Sequence, residues 1–167
     1  SGANATGYSP GALTATTWYR RIAYSSMPCT DTSAAIQITV NPTISSNNLG
    51  SSQLICTGTA ASTITGTTPS GGGGNYTYQW IRSVTNSASG YTPISGATSI
   101  DYAPGIFPVI AWYRRIVRTN SCTDTSGVVI INLNPLITSN IISSSQNICY
   151  GESPASLTGL TPSGGGG

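Results

Sequence analysis

The sequence has no histidine, no lysine and only four acidic residues, and these absences exclude several classes of function. Charged residues make up 6% of the chain, against about 25% in an average protein. The net charge of +2 is small and dispersed, which argues against a nucleic-acid-binding surface. There is no histidine for general base catalysis, no evident pair of carboxylates, and no base that would activate a serine nucleophile. We therefore predict that the chain is not an enzyme and needs no cofactor.

Long apolar runs are also absent. No stretch approaches the roughly 18 apolar residues of a membrane span, and no signal peptide is visible. Serine, threonine, glycine and asparagine supply most of the polar surface instead. A polar, uncharged composition of this kind is more typical of secreted fibres and adhesins than of cytosolic enzymes, so we expect an extracellular protein without direct membrane insertion.

What the sequence does contain is a repeat with a period of 93 residues. Cys29 and Cys56 recur as Cys122 and Cys149, each 93 residues later, and the run Thr-Pro-Ser-Gly-Gly-Gly-Gly begins at Thr68 and again 93 residues later. A fixed period of this kind indicates tandem structural units. We therefore divide the chain into the C-terminal half of one repeat (1–42), a complete repeat (43–135) and the N-terminal part of the next (136–167). We expect it to belong to a longer protein, with the partial copies frayed or completed by neighbouring units.

The complete repeat predicts about seven short strands and no helix. The clearest strand is Tyr76 to Ile81, where Tyr76, Tyr78 and Trp80 alternate with other residues. The other strands are expected at 44–49, 60–67, 91–94, 99–102, 110–118 and 128–133, and in the first partial copy at 16–24 and 34–40. Residues 53–56 are expected to lead into a turn, and 29–33 to form a hairpin loop. Short strands separated by turn signals favour a β-sandwich.

Several motifs carry a more specific resemblance: Gln53-x-Ile55-Cys56-x-Gly58, Tyr76-x-Tyr78-Gln79-Trp80, Trp112-Tyr113-Arg114-Arg115 and Leu157-Thr158-Gly159-Leu160-Thr161-Pro162-Ser163-Gly164-Gly165. Together they resemble the tandem immunoglobulin-like (Ig-like) repeats of giant cell-surface adhesins of Bacteroidetes, including gliding-motility adhesins of the SprB type. The resemblance implies an all-β fold of Ig-like β-sandwich repeats in tandem. It also implies a filament at the bacterial cell surface, exported by type IX secretion. It supplies no ligand and no catalytic residue.

The cysteines leave two disulfide pairings open. Two cysteines per repeat at constant positions favour a disulfide and an oxidising compartment. The simpler pairing joins Cys56 to Cys122 within one repeat, which requires Cα atoms within about 7 Å. The alternative joins Cys56 to the equivalent hairpin cysteine of the next repeat, which this chain does not include.

The remaining candidates are aromatic, basic and glycine residues. Trp80 and Tyr113 are expected in the core. Arg114 and Arg115 point to opposite faces of their strand, so one of them approaches the interior and lies over an aromatic ring, or it contacts an anionic glycan. The tetraglycine run that begins at Gly71 is expected to be a flexible turn, since no Lys-Ser/Thr or helix follows it as in a phosphate loop. Isolated carboxylates such as Asp124 predict no metal site.

These observations predict a structural and adhesive repeat of a secreted bacterial surface filament, which mediates surface attachment and gliding motility. Its partners would be neighbouring repeats of the same chain and surface glycans. One alternative is a carbohydrate-binding or spacer module of a secreted enzyme, which a low copy number would favour. Another is a self-assembling filament subunit, whose partial ends complete one another between molecules in a concentration-dependent way.

Overall fold

The structure is a computed structural model that describes residues 4–26 and 29–166. The predicted all-β class is confirmed: the described residues form twelve strands and no helix, and so contain no helix able to cross a membrane. The strands are β1 (Thr17–Tyr19), β2 (Ile22–Tyr24), β3 (Thr30–Thr32), β4 (Ile36–Ile38), β5 (Gln53–Cys56), β6 (Ala60–Ala61), β7 (Thr77–Ser83), β8 (Thr92–Pro93), β9 (Gly105–Ile106), β10 (Ala111–Arg118), β11 (Thr123–Thr125) and β12 (Val129–Asn134).

A six-stranded sheet organises residues 43–135, which we call the central unit. Its order is β5-β12-β10-β7-β8, and β11 pairs with the end of β10. The β5–β12 pair is parallel and the other pairs are antiparallel. Along β10, every second residue is buried: the side chains of Ala111, Tyr113, Arg115 and Val117 face the core, and the residues between them are half-buried. This period of two is expected of a strand with one face on the core.

A second set of pairings covers the inner face of that sheet. Strands β6 and β9 pair, and single bridges join Ile64 to Tyr102 and Leu49 to Gly66. Between these pairings and the sheet lies one buried cluster, made of Ile64, Trp80, Ala111, Tyr113, Val129 and Ile131. Among the described residues, this core lies wholly within the central unit.

The flanking residues repeat the local pairings of the central unit without its core. In the leading segment (4–26 and 29–42), β1 pairs with β4 as β10 pairs with β12, and β2 pairs with β3 as β10 pairs with β11. In the trailing segment (136–166), the Thr138–Ser163 bridge lies 93 residues after the Ser45–Ser70 bridge. Tyr19 of the leading segment, the counterpart of the fully buried Tyr113, is only half-buried. Local pairing therefore follows the sequence, while burial needs a whole unit.

Several strand predictions need correction. Residues 16–24 form two strands, interrupted at Arg20 and Arg21, and the predicted hairpin loop at 29–33 contains β3. Residues 53–56 form β5, because β12 offers them a parallel partner that a local reading of the sequence does not show. Residues 99–102 form no strand and contribute only the bridge at Tyr102.

The two aromatic residues expected in the core, Trp80 and Tyr113, are both fully buried. The indole N–H of Trp80 donates to Ser99 O at 2.9 Å. The ring of Tyr102 lies between them, with centroids 5.5 Å from Trp80 and 5.8 Å from Tyr113. The buried Tyr113 hydroxyl makes no hydrogen bond within the described residues. Burial raises the pKa of Tyr113 above its ordinary value, and the nearby Arg82 cation partly opposes this rise.

We expect Tyr113→Phe to leave stability at pH 7 unchanged or to raise it by about 1 kcal/mol, because the lost hydroxyl is buried and unpaired. The raised pKa means that the neutral phenol favours the folded state. Its contribution is present below about pH 10 and is lost as the pH rises through the folded-state pKa. Denaturant unfolding at pH 7 and pH 11 measures both effects. Tyr150→Phe, at a fully exposed site, is the control, and an alkaline loss that is equal in both variants would contradict the assignment.

Candidate functional site at the Asn-Pro junctions

An Asn-Pro pair stands at each end of the central unit, and a glycine turn folds onto each pair. The N–H of Gly72 donates to Pro42 O at 2.8 Å, and the N–H of Gly165 donates to Pro135 O at 2.9 Å. The two junctions are therefore closed by the same backbone contact, 93 residues apart. Proline adds to the restriction, since it limits its own φ and the conformation of the residue before it.

The tetraglycine run packs tightly against the first junction. The four residues Gly71, Gly72, Gly73 and Gly74 have φ values of 79°, 65°, 88° and 78°, a left-handed region that side chains disfavour. A Cβ on Gly71 would lie 2.1 Å from Thr43 O, and one on Gly73 would lie 2.9 Å from Asn41 Nδ2. The sequence predicts a flexible connection here. The structure instead shows that the glycine run packs closely against residues 41–43, which we call the linker. This fit is possible because the four glycines have no side chains.

The hairpin between β10 and β11 completes the first junction. Asn41 Nδ2 donates to Ser121 Oγ at 3.0 Å. Thr119 Oγ1 donates to Gly72 O at 2.8 Å and accepts from the N–H of Cys122 at 3.1 Å. Linker, glycine turn and hairpin are thus joined by hydrogen bonds at one end of the central unit.

Above this end of the unit, a buried arginine connects the two layers. Arg115 is fully buried. Its Nε and Nη2 donate to Asn47 Oδ1 at 3.0 and 2.9 Å. Its Nη1 donates to Ile100 O at 2.8 Å, and Nη2 also donates to Thr67 O at 2.8 Å. The guanidinium also lies 5.0 Å from the Tyr78 ring centroid. Each guanidinium nitrogen is therefore hydrogen-bonded, and every acceptor is neutral.

Burial without a bonded carboxylate is costly for this cation. It lowers the pKa of Arg115, and the nearby Tyr78 and Asp101 groups partly oppose that effect. The arginine remains charged at neutral pH, because a guanidinium group is a very strong base. Its partner Asn47 is held in turn, since Nδ2 donates to Asp124 Oδ2 at 2.9 Å. Loss of one member would leave buried polar atoms unpaired.

Arg115 is thus the member of the Arg-Arg pair that faces inward. Arg114 lies outside the core over Tyr91, 5.0 Å from the ring centroid, and donates to Ser87 O at 3.1 Å. Trp112, beside the buried Tyr113, is half-buried. At the second junction it helps to line a shallow apolar groove, whose other residues are Thr57, Val84, Pro108, Val109, Ile110, Leu133 and Pro135.

The structure does not form the predicted bond between Cys56 and Cys122. All four cysteines carry free thiols. Cys56 pairs with Asn134 of β12. Asn134 lies three residues beyond Ile131, which pairs with Ala111 at the start of β10. Strand β10 then runs seven residues further, to Arg118, before the hairpin that holds Cys122. At about 3.3 Å per residue, the two cysteines are about 33 Å apart along the sheet, beyond the reach of a disulfide.

The sequence reasoning did not identify two residues of this region, Asn47 and Gly66. A Cβ at Gly66 would lie 2.0 Å from Arg115 Nη1, so glycine leaves the space that the guanidinium occupies. Both residues recur 93 positions later, as Asn140 and Gly159, and this recurrence is the sequence signal that could have identified them. Among residues 4–26 and 29–166, no group of three potential metal ligands comes together.

Comparison with known families gives one match. A family model described as a domain of unknown function (DUF8696) matches residues 1–42 and 45–135. Searches of curated proteins and of solved structures each returned no match.

Asn47→Ala should destabilise the protein by about 2–4 kcal/mol, because it leaves Arg115 Nε buried without its acceptor. Denaturant unfolding at neutral pH measures this loss. Asn48→Ala is the matched control, since the neighbouring Asn48 is exposed and should cost under about 0.5 kcal/mol. Equal effects of the two substitutions would show that the arginine network does not stabilise the unit.

Gly71→Ala and Gly74→Ala separate backbone strain from contact with the linker. Both glycines have positive φ, so both variants should lose about 1 kcal/mol. Only at Gly71 does a Cβ meet the linker, while a Cβ at Gly74 meets nothing within 4 Å. Gly71→Ala should therefore lose about 2 kcal/mol more and increase hydrogen exchange at the N–H of Gly72. Losses of the same size would contradict a packed junction.

Proposed function

The chain belongs to the DUF8696 family, a domain whose function is unknown, and we propose a structural and adhesive role for it. In this proposal the chain is a run of tandem Ig-like β-sandwich units in a secreted filament at a bacterial cell surface, where it supports attachment and gliding. The observation that carries the proposal is the junction, which is built in the same way at Pro42 and at Pro135.

The strand order supports an Ig-like sandwich. Four strands of the large sheet lie in the order β12-β10-β7-β8. This order corresponds to strands G, F, C and C′ of variable-type immunoglobulin domains. The β6–β9 pair and the Ile64–Tyr102 bridge take the places of strands B and E in the opposite sheet. Trp80 on the C-like strand occupies the centre of the core.

The junctions support a stiff array. A flexible linker would be rich in glycine or serine and free of contacts. Here each Asn-Pro pair is held by the glycine turn that follows it, and Asn134 Nδ2 also donates to Gly165 O at 3.0 Å. Because the glycine turn closes on the proline in the same way at each junction, consecutive units would have the same relative orientation, and a long chain of them would form a straight or regularly twisted fibre.

Sequence composition and the family match agree with such an array. The family match covers the leading segment and the central unit, with its break at residues 43–44, beside the first junction. A surface with few charges and many hydroxyl and amide groups suits an exposed fibre. Each unit would present the same outer face, so that weak contacts with a surface glycan would multiply through avidity.

Electron microscopy of cells that produce the full-length protein, labelled with an antibody against residues 43–135, tests the proposal. We expect filaments labelled along their whole length. Label confined to a compact secreted particle would overturn the filament and favour an accessory module of a secreted enzyme.

The isolated filaments should show an axial repeat that reflects one unit. The central unit extends about 33 Å along its sheet, so each unit should add about 35 Å, allowing for the linker. Averaged images of purified filaments, with a Gly71→Ala protein as comparison, measure this spacing. The substitution should make the fibre bend at irregular angles, and an unchanged straight fibre would argue against the role of the glycine turn.

A further inference from the structure

We propose that Cys56 of one unit and the hairpin cysteine of the next unit, at the position of Cys122, form a disulfide across the junction between them. The inference rests on the tandem arrangement proposed above and specifies how consecutive units are joined. It gives a role to two thiols per unit that cannot reach each other within a unit.

The hairpin cysteine lies at the entry of its unit, beside the linker. Cys122 Sγ is 4.0 Å from Pro42 O. Its neighbour Ser121 accepts a hydrogen bond from Asn41 Nδ2 at 3.0 Å. Cys122 is half-buried there, and its backbone N–H is held by Thr119 Oγ1 at 3.1 Å. The thiol thus has a defined position next to the Asn-Pro pair that precedes its unit.

The other cysteine lies at the exit of its unit, beside the next linker. Cys56 is the parallel-ladder partner of Asn134. The N–H and hydroxyl of the following Thr57 both donate to Asn134 O at 2.9 Å. Cys56 is exposed, so its thiol is accessible to a partner. It is held against the Asn-Pro pair that ends its unit.

Comparison of the two junctions places the exit cysteine of one unit and the hairpin cysteine of the next at the same Asn-Pro pair. Asn134-Pro135 ends the central unit as Asn41-Pro42 ends the leading segment, and both pairs are closed by the same glycine contact. Each Asn-Pro pair between two units is therefore next to two cysteines. The exit cysteine of the preceding unit lies opposite the asparagine, and the hairpin cysteine of the following unit lies beside the proline. Adjacent strands are about 4.8 Å apart, which brings both thiols to the same two-residue segment.

The chain itself contains one cysteine of each such pair. At the first junction it supplies Cys122 and at the second Cys56, while each partner belongs to a unit that these residues do not include. Four free thiols are thus the state expected of these residues by themselves.

Bond formation needs a disulfide oxidant, and we assign that role to a dithiol–disulfide exchange partner of the oxidising compartment. The Cys56 thiolate attacks one sulfur of the oxidant, forms a mixed disulfide and releases the other sulfur as a thiolate. The hairpin thiolate of the next unit then attacks the Cys56 sulfur and releases the second thiolate. The two protons lost by the cysteines end on the reduced oxidant, which gains the two electrons.

Such a bond would limit the extension of an unfolding unit under tension. Without it, the covalent path through one unit is 93 residues. With it, the path enters at Cys122 and leaves at Cys56, which are 66 residues apart (122 − 56). The maximum extension of each unit would fall to about 0.7 of its unlinked value, because extended length is proportional to residue number.

A protein in which residues 1–135 are followed by a further copy of residues 43–135 tests the inference. The added copy completes a second unit after the native Asn134-Pro135 pair, and each unit contains the whole buried core. After oxidation with glutathione disulfide, we expect one disulfide and three free thiols among its five cysteines. Non-reducing peptide mapping should join the peptide of Cys56 to that of Cys122.

Matched variants identify which copies are joined. Cys56→Ser in the first unit should abolish the bond, whereas Cys56→Ser in the second unit should leave it intact. The reverse result, or a bond that survives both substitutions, would overturn the inference. Peptide mapping of the full-length protein isolated from cells gives an independent answer even if the two-unit protein fails to fold, and free thiols at both positions there would also overturn it.

Small-angle scattering of the two-unit protein separates this inference from the proposed fibre. If the protein is a single extended body and Cys56 stays reduced, the disulfide is wrong and the stiff array stands. If the two units move independently and no bond forms, both proposals fail.

Discussion

The buried guanidinium of Arg115 is the interaction on which the rest of the unit depends. It lies at a core position of β10 and binds groups from the opposite layer, Asn47, Thr67 and Ile100. A buried cation with only neutral acceptors is stable when all of its partners are in place and costly when one is missing. The network therefore couples the first residues of the unit to its last hairpin, where Asp124 holds Asn47.

The flanking segments show that the core does not form when part of this network is missing. Arg21 of the leading segment corresponds to Arg115 and keeps the backbone contact with Ser33 at 3.0 Å, yet it is exposed. The trailing segment holds Asn140, the counterpart of Asn47, and it too is exposed. Each segment carries part of the network without the residues that would complete it. Strand pairing is therefore local, while core formation requires the whole unit.

At the junctions, hydrogen bonds and close backbone contacts extend this order to the residues next to the central unit. Four glycines with positive φ allow the backbone to reach Thr43 and Asn41 directly. The hairpin that follows Arg118 then reaches the same linker through Ser121 and the glycine turn through Thr119. A fibre built of such units would resist bending because each linker is bonded on both sides. Cysteines placed at the entry and exit of the unit would make that connection covalent.

By itself, the sequence determined the 93-residue period, the all-β class, most of the long strands and the aromatic core residues, because alternation and turn residues act over a few neighbours. It predicted the glycine run as flexible, missed β5, and favoured a bond between Cys56 and Cys122. Those features depend on which strands lie side by side and in which register. Only the tertiary structure decided that β5 pairs with β12, that Arg115 rather than Arg114 faces inward, and that the two cysteines lie at opposite ends, since each depends on partners distant in sequence.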